Sequence, residues 1–290
     1  MPHILSIPPV TRRAIKVWHR NLSVFVRTWQ VNFFPPLVEA LLYLFAIGMG
    51  IGSYVKEIEG VPYVTFIAPA ILAIAVMNSA FFECTYGSFV RMYYQKSFDA
   101  MIATPLSIED VIAGELLWGA TRSVIYVVIM LPVLAAFNVI SLPLAILAVP
   151  LAFLGGLMFA GIAMCFTAIT PGIDTLNYPS FLFITPMSLF SGTFFPLTLL
   201  PVALQYIALA LLPLTHLVAI MRMFTQAAVS PVLLLHLTWI IVVTHGGSLF
   251  PVRTLLSDYR NPKNDMILPV SLTQTVHLSQ ILLFRLSRYG

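Results

Sequence analysis

Six near-uninterrupted apolar stretches dominate the chain: Phe33 to Tyr54, Val61 to Phe82, Leu117 to Phe137, Pro143 to Ala168, Tyr178 to Phe195, and Pro231 to about Val252. Each is close to the roughly 20 residues that an α-helix needs to cross hydrocarbon. Such a chain has too little polar surface to cover a water-soluble globule: 9% of its 290 residues are charged and 59% are hydrophobic, whereas soluble domains carry roughly 25% charged residues. The pattern predicts an all-α integral membrane protein of six transmembrane helices, one domain over residues 1–252 followed by an atypical tail, 253–290. It excludes a cytosolic enzyme, a disordered chain and a secreted disulfide scaffold. The two cysteines, Cys84 and Cys165, both lie in apolar stretches and read as small packing residues.

An even number of spans puts both termini on one side. That side collects Arg12, Arg13, Lys16, Arg20 and Arg27 ahead of the first span, Arg91 and Lys96 between the second and third, and Arg253, Arg260 and Lys263 after the last. Lys56 and Arg222 fall on the other, so the positive-inside rule makes both termini cytoplasmic. The net charge of +4 is modest and clustered in these loops, which fits membrane orientation and excludes nucleic acid as a partner.

Residues 9–30 do not have the form of a cleaved secretory signal, because their basic residues are spread out and no apolar run follows quickly. Read as a helix, Ala14, Trp18, Leu22, Phe25 and Trp29 share one side, while Arg12, Lys16, Arg20 and Arg27 fall opposite. An interfacial helix on the anionic leaflet is expected, with Trp18 and Trp29 at headgroup depth and Arg13 among its basic residues.

Between the fifth and sixth spans, Pro196 to Thr225 is apolar but is cut by Pro201 and Pro213, which remove backbone donors. Two half-inserted helices, an outer re-entrant hairpin, are predicted there instead of a seventh span. In the fourth span Ala148, Ala152, Gly156 and Ala160 form a smooth stripe for close helix packing. Pro35 and Pro36 are read as opening the first span, where missing donors cost little.

The chain holds no zinc-protease helix motif, no nucleophile elbow and no phosphate-binding loop, and no metal-ligand spacing. No catalytic residue and no metal site is therefore assigned, and His216 and His236 read as packed or interfacial. Ionisable residues inside spans are costly and usually functional. Glu39, Glu83 and Arg122 each lie on the order of 10 Å from the cytoplasmic edge at 1.5 Å rise per residue, and they are expected to form a buried cluster. Such a cluster either locks the helices or lines an opening for a polar headgroup. The loop Val90 to Glu115 mixes charges with Tyr93, Tyr94, Phe98 and Met101, as a protein contact would. Within it, Tyr94 to Ala103 is expected to form a short amphipathic helix ended by Thr104 and Pro105, and Ser107 with Asp110 resembles a helix start.

This order of features resembles the permease subunit of ABC-2 type exporters from about Pro36 to Arg222. The strings that carry it are "PPLVEALLYLFAIGMGIG", "YVTFIAPAILAIAVMNSAFFE", "KSFDAMIATPLSIEDVIAGELLW", "SGTFFPLTLLP" and "LLPLTHLVAIMR". The likeness looks closest to the nodulation-protein-J branch, which exports lipo-oligosaccharides, with related branches exporting polysaccharides and drugs. The resemblance implies a permease homodimer in the bacterial inner membrane, working with a separate ABC ATPase subunit that binds ATP and Mg, and no cofactor in this chain. It makes Tyr94, Lys96, Phe98, Asp99, Met101, Thr104 and Pro105 the segment coupled to that ATPase. It makes Ser191, Gly192, Phe195, Pro196, Pro201 and Pro213 part of the outer re-entrant hairpin. The C-terminal "THGGSLFPVR" and the tail depart from the family pattern. The rival reading from another class is a membrane scaffold without transport, which predicts no ATPase association.

Overall fold

The computed structural model describes residues 10–260, with backbone only for 48, 49 and 248–260. Residue 9 of the interfacial segment, and Lys263 with the rest of the tail from 261, lie outside the described residues.

Ten helices carry the described chain: α1 (Ala14–Arg27), α2 (29–54), α3 (Tyr63–Tyr94), α4 (Ser97–Ile102), α5 (Ile108–Ala136), α6 (Leu142–Ile169), α7 (177–190), α8 (Val202–Leu211), α9 (Pro213–Thr225) and α10 (Val232–Arg260). The fold is all-α apart from a two-stranded hairpin, Glu57–Ile58 with Val61–Pro62. Its turn residues Glu59 and Gly60 both have positive φ, 53° and 78°, the twist that a two-residue hairpin turn requires.

Three helices, α3, α5 and α6, are each long and apolar enough to cross a membrane, and α8 with α9 would make a fourth if that bent pair were one span. Helix α3 is the central one, packed against α5, α6 and α9, while α6 also packs against α10. Phe66, Met77 and Phe81 of α3, Ile112 and Met130 of α5, and Met158 and Phe159 of α6 are fully buried. Because lipid tails are as apolar as these side chains, close packing rather than escape from water must hold the helices together. The stripe Ala148, Ala152, Gly156 and Ala160 is buried, and the Gly156 Cα faces Ser123 and Ala120 of α5.

Several boundaries differ from those expected. Helix α3 continues twelve residues beyond Phe82 to Tyr94, through two wider π-type turns at Glu83–Gly87 and Val90–Tyr94. Helix α5 starts at Ile108, ahead of the apolar stretch from Leu117 and where Ser107 and Asp110 predict a helix start: Ser107 Oγ accepts a hydrogen bond from the Asp110 backbone N–H at 3.2 Å and caps it. Charged residues had marked these as loop, yet paired charges can ride inside a helix. Helix α2 begins at Trp29, so Pro35 and Pro36 lie inside it and leave the carbonyls four residues earlier without their usual donors. The fifth apolar stretch is helical only over 177–190. It ends where Ser191 turns the chain and Gly192 takes a φ of 72°, a region that an L side chain adopts only with strain. In α10 the apolar part is Val232–Gly247, although the helix runs on to Arg260.

Candidate functional site

Helix α1 does not simply lie flat. Ala14, Val17 and Asn21 are buried against α5, while Trp18, Leu22 and Phe25 are half-buried and Trp29 is exposed. The contact is close because Gly114 of α5 has no side chain: a Cβ there would fall 2.5 Å from the Val17 Cβ and 2.8 Å from the Ala14 carbonyl oxygen. Polar bonds fix the helix further. The Trp18 indole donates to Thr121 Oγ1 at 2.9 Å, and the backbone N–H of Thr11 donates to Asp110 Oδ1 at 2.7 Å. Arg20 donates to Ser97 Oγ at 3.0 Å, and Arg13 donates to the Pro105 carbonyl. Arg12 and Lys16 are exposed on the opposite face.

Under α1, four charged side chains from α3 and α5 form one network. Arg91 Nη1 donates to Glu83 Oε1 at 2.8 Å, Arg91 Nε to Glu115 Oε2 at 3.0 Å, and Arg122 Nη1 to Glu83 Oε2 at 2.5 Å. The remaining acceptor capacity is taken by neutral donors: Trp118 Nε1 to Glu83 Oε1 at 2.9 Å, Ser88 Oγ to Glu115 Oε2 at 2.8 Å, and Asn21 Nδ2 to Glu115 Oε1 at 2.9 Å. The two carboxylates and two guanidinium groups cancel, which is how a low-dielectric interior tolerates four charges. Glu115 is fully buried and Glu83 nearly so. The Arg122 guanidinium also lies 5.9 Å from the ring centres of Phe25 and Tyr126.

Of the expected cluster, the structure joins Glu83 and Arg122. Glu39 has no ion pair among the described residues, but it lines a cavity of about 330 Å³ with Glu83 and Arg122. A second cavity, of about 210 Å³, lies on the α1 side of the same pair. On sequence alone Arg91 and Glu115 fall at the ends of the loop Val90 to Glu115. Their signal was present: once Ser107 starts α5, Glu115, Trp118 and Arg122 recur at steps of three and four on one helical face.

The expected helix from Tyr94 to Ala103 is not formed. Tyr94 ends α3 and is exposed, Lys96 takes a left-handed φ of 53°, and only Ser97–Ile102 is helical. Phe98 and Met101 point into the core and so present no surface to a partner, whereas Lys96, Thr104 and Pro105 are exposed and Asp99 is half-buried.

At the opposite end, Ser191, Gly192, Pro196 and Pro213 are buried, Phe195 is half-buried and Pro201 is exposed. Pro201 precedes α8 and Pro213 opens α9, positions that need no donor, and the two helices meet at 89°. Arg222 of α9 lies 4.0 Å from the Phe66 ring centre and donates to the Gly192 carbonyl at 3.0 Å. Tyr63 Oη donates to the Phe194 carbonyl at 3.1 Å. His216 and His236, expected to be packed or interfacial, are both buried and meet with Nδ1 atoms 2.7 Å apart, and His216 stacks on Trp239. No group of three potential metal ligands occurs among the described residues.

Helices long and apolar enough to cross a bilayer, packed around a buried and neutralised charge network, define an all-helical integral membrane protein. The chain belongs to the ABC-2 type transporter family, whose sequence profile matches residues 14–224 and so includes every member of the network. It is 35% identical over 208 residues to nodulation protein J of Sinorhizobium fredii (strain NBRC 101917 / NGR234), covering 72% of this chain and 79% of that protein. Nodulation protein J of Rhizobium leguminosarum bv. viciae is 34% identical over 220 residues, covering 76% and 84%. The inner membrane transport permease YadH of Escherichia coli (strain K12) is 28% identical over 194 residues, covering 64% and 72%. The family and these relatives place the chain among the membrane components of transporters.

Proposed function

We propose that this chain is the permease subunit of an ATP-driven exporter that moves an amphipathic substrate outward across the bacterial inner membrane. The substrate class is a lipo-oligosaccharide, glycolipid, polysaccharide or hydrophobic drug. ATP and Mg are bound by a separate ABC ATPase subunit, and two permease copies form a homodimer. In this reading α2, α3, α5, α6, α7 and α10 are the six spans, both termini are cytoplasmic, and residues 1–252 form one domain ahead of the 253–290 tail. Helices α8 and α9 form the outer re-entrant hairpin; of the non-helical chain leading into it, Ser191, Gly192, Thr193 and Pro196 are buried in protein, as such backbone at membrane depth must be, while Leu199 and Pro201 are exposed.

The observation that carries this reading is how the loop between α3 and α5 is held within the matched region. Its inner residues Phe98 and Met101 are seated in the core, its outer residues Lys96, Thr104 and Pro105 are exposed, and Arg13 and Arg20 bind it to α1. An ATPase docked on the exposed side therefore pulls on α1 and, through the Ser107 cap, on α5. A displacement of α1 uncovers the ion network and opens the membrane-facing side of its cavity. Such a step changes populations only if the ATPase contacts differ between its ATP-bound and free states.

The test is retention of the candidate ATPase by the detergent-purified permease. The variant Tyr94→Ala, Lys96→Glu changes only exposed residues, and Lys96→Glu keeps a non-glycine residue at a position that already has positive φ. Wild type is expected to hold the ATPase and the variant to lose most of it. Undiminished retention by the variant removes the coupling assignment, and a folded wild type that holds no ATPase removes the exporter reading.

A further inference from the structure

We propose that the cavity between α1, α3 and α5 binds a phosphate-type oxyanion, the charged part of an amphipathic molecule drawn in from the inner leaflet. This deepens the exporter reading, which supplies the side from which the cavity fills. The cavity measures about 210 Å³ and is walled by Arg20, Asn32, Glu83, Arg91, Gln95 and Arg122.

The charges decide its sign. Arg91 and Arg122 are balanced by Glu83 and Glu115, so the network is neutral and Arg20 remains as excess positive charge on the wall. The described bonds of Arg20 go to neutral groups, Ser97 and the Asn21 side-chain oxygen. The one carboxylate on the described wall, Glu83, already takes Arg91, Arg122 and Trp118, so its charge is spent within the network.

The donors decide the chemistry. A guanidinium presents five N–H donors in a fixed fork. Arg122 uses Nη1 on Glu83 and reaches Asn32 with Nη2 only at 3.4 Å. A tetrahedral oxyanion supplies several strong acceptors to such forks. Gln95 adds an amide donor on the same wall. The space suits a headgroup and not its acyl chains; Val24 and Thr28 are exposed wall residues past which chains reach hydrocarbon.

The experiment is native mass spectrometry of the detergent-purified permease without any ATPase, so its result is independent of whether coupling or export holds. The probes are phosphatidic acid, phosphatidylcholine and inorganic phosphate, titrated against wild type, Arg20→Gln and Arg122→Lys. The lysine variant keeps the charge opposite Glu83 and removes the fork. Wild type is expected to hold one phosphatidic acid per chain, with affinity about tenfold weaker in either variant, or about 1.4 kcal/mol, and phosphatidylcholine at least as much weaker. Inorganic phosphate that binds with the same dependence on both arginines supports the site with a soluble source; phosphatidic acid binding alone supports it with a lipid source. If Arg122→Lys fails to fold by thermal unfolding, Arg20→Gln decides. Equal binding of phosphatidic acid and phosphatidylcholine, undiminished binding by a folded variant, or no binding of either phosphate probe overturns the proposal.

Discussion

Glu115→Gln removes one charge from a four-charge network while changing shape very little. Glu115 is fully buried and receives Arg91 Nε at 3.0 Å, Ser88 at 2.8 Å and Asn21 at 2.9 Å. At an effective dielectric of about 20, unit charges about 3 Å apart attract by roughly 5 kcal/mol, and removing one partner of a buried pair costs about 3–5 kcal/mol. Glutamine keeps one acceptor oxygen, so the expected loss is near the lower end, about 3 kcal/mol. The variant leaves Arg91 and Arg122 sharing Glu83, one positive charge in excess. Arg91→Gln creates the opposite excess and is expected to cost a similar amount. The double variant restores neutrality and leaves the Arg122–Glu83 pair at 2.5 Å intact, so it is expected to be no less stable than either single variant. Equilibrium unfolding by sodium dodecyl sulfate in mixed micelles, followed by circular dichroism, measures all three. Single costs below about 1 kcal/mol, or strict additivity in the double variant, would refute the argument that charge balance holds this site together.

Two further changes test the elements on either side of the network. Gly114→Val puts a side chain where a Cβ alone already meets Val17 at 2.5 Å; α1 is expected to lift off at a cost of about 1–3 kcal/mol, read as faster tryptic cleavage at Arg20 and Arg27, and an unchanged cleavage rate argues against the docked helix. Arg222→Met removes the bond to the Gly192 carbonyl and the stacking on Phe66; about 2 kcal/mol of stability is expected to go with them, and a Phe66→Leu background is expected to shrink that loss, whereas an equal loss in both backgrounds would sink the stacking contribution.

The loop between α3 and α5 shows why legibility was uneven. The break between spans is confined to residues 95–107, with Arg91, Glu109, Asp110 and Glu115 inside the flanking helices, and Phe98 and Met101, expected to couple to a partner, are buried. Sequence spacing gives no direction to a six-residue helix whose neighbours are set by the left-handed turn at Lys96. Counting apolar residues also ended the second span at Phe82 and opened the third at Leu117, since charge is read as a boundary when its partner is unknown. The histidines met for the same reason: twenty residues separate His216 from His236, and only the return of α10 along α9 brings them to 2.7 Å.

The sequence by itself determined the class of protein, the helical state, the amphipathic first helix, the start of α5 at Ser107 and the small-residue stripe that α5 packs against. All of these follow from composition or from periodicity within one helix, which local chemistry dictates. Tertiary structure alone decided that Glu83, Arg91, Glu115 and Arg122 neutralise one another, that Glu39 faces the adjoining cavity without joining them, and that Arg20 lines the cavity on the α1 side. Those outcomes depend on distances between residues up to a hundred positions apart, and charge balance in a low-dielectric interior is a property of the packed set that no single segment carries.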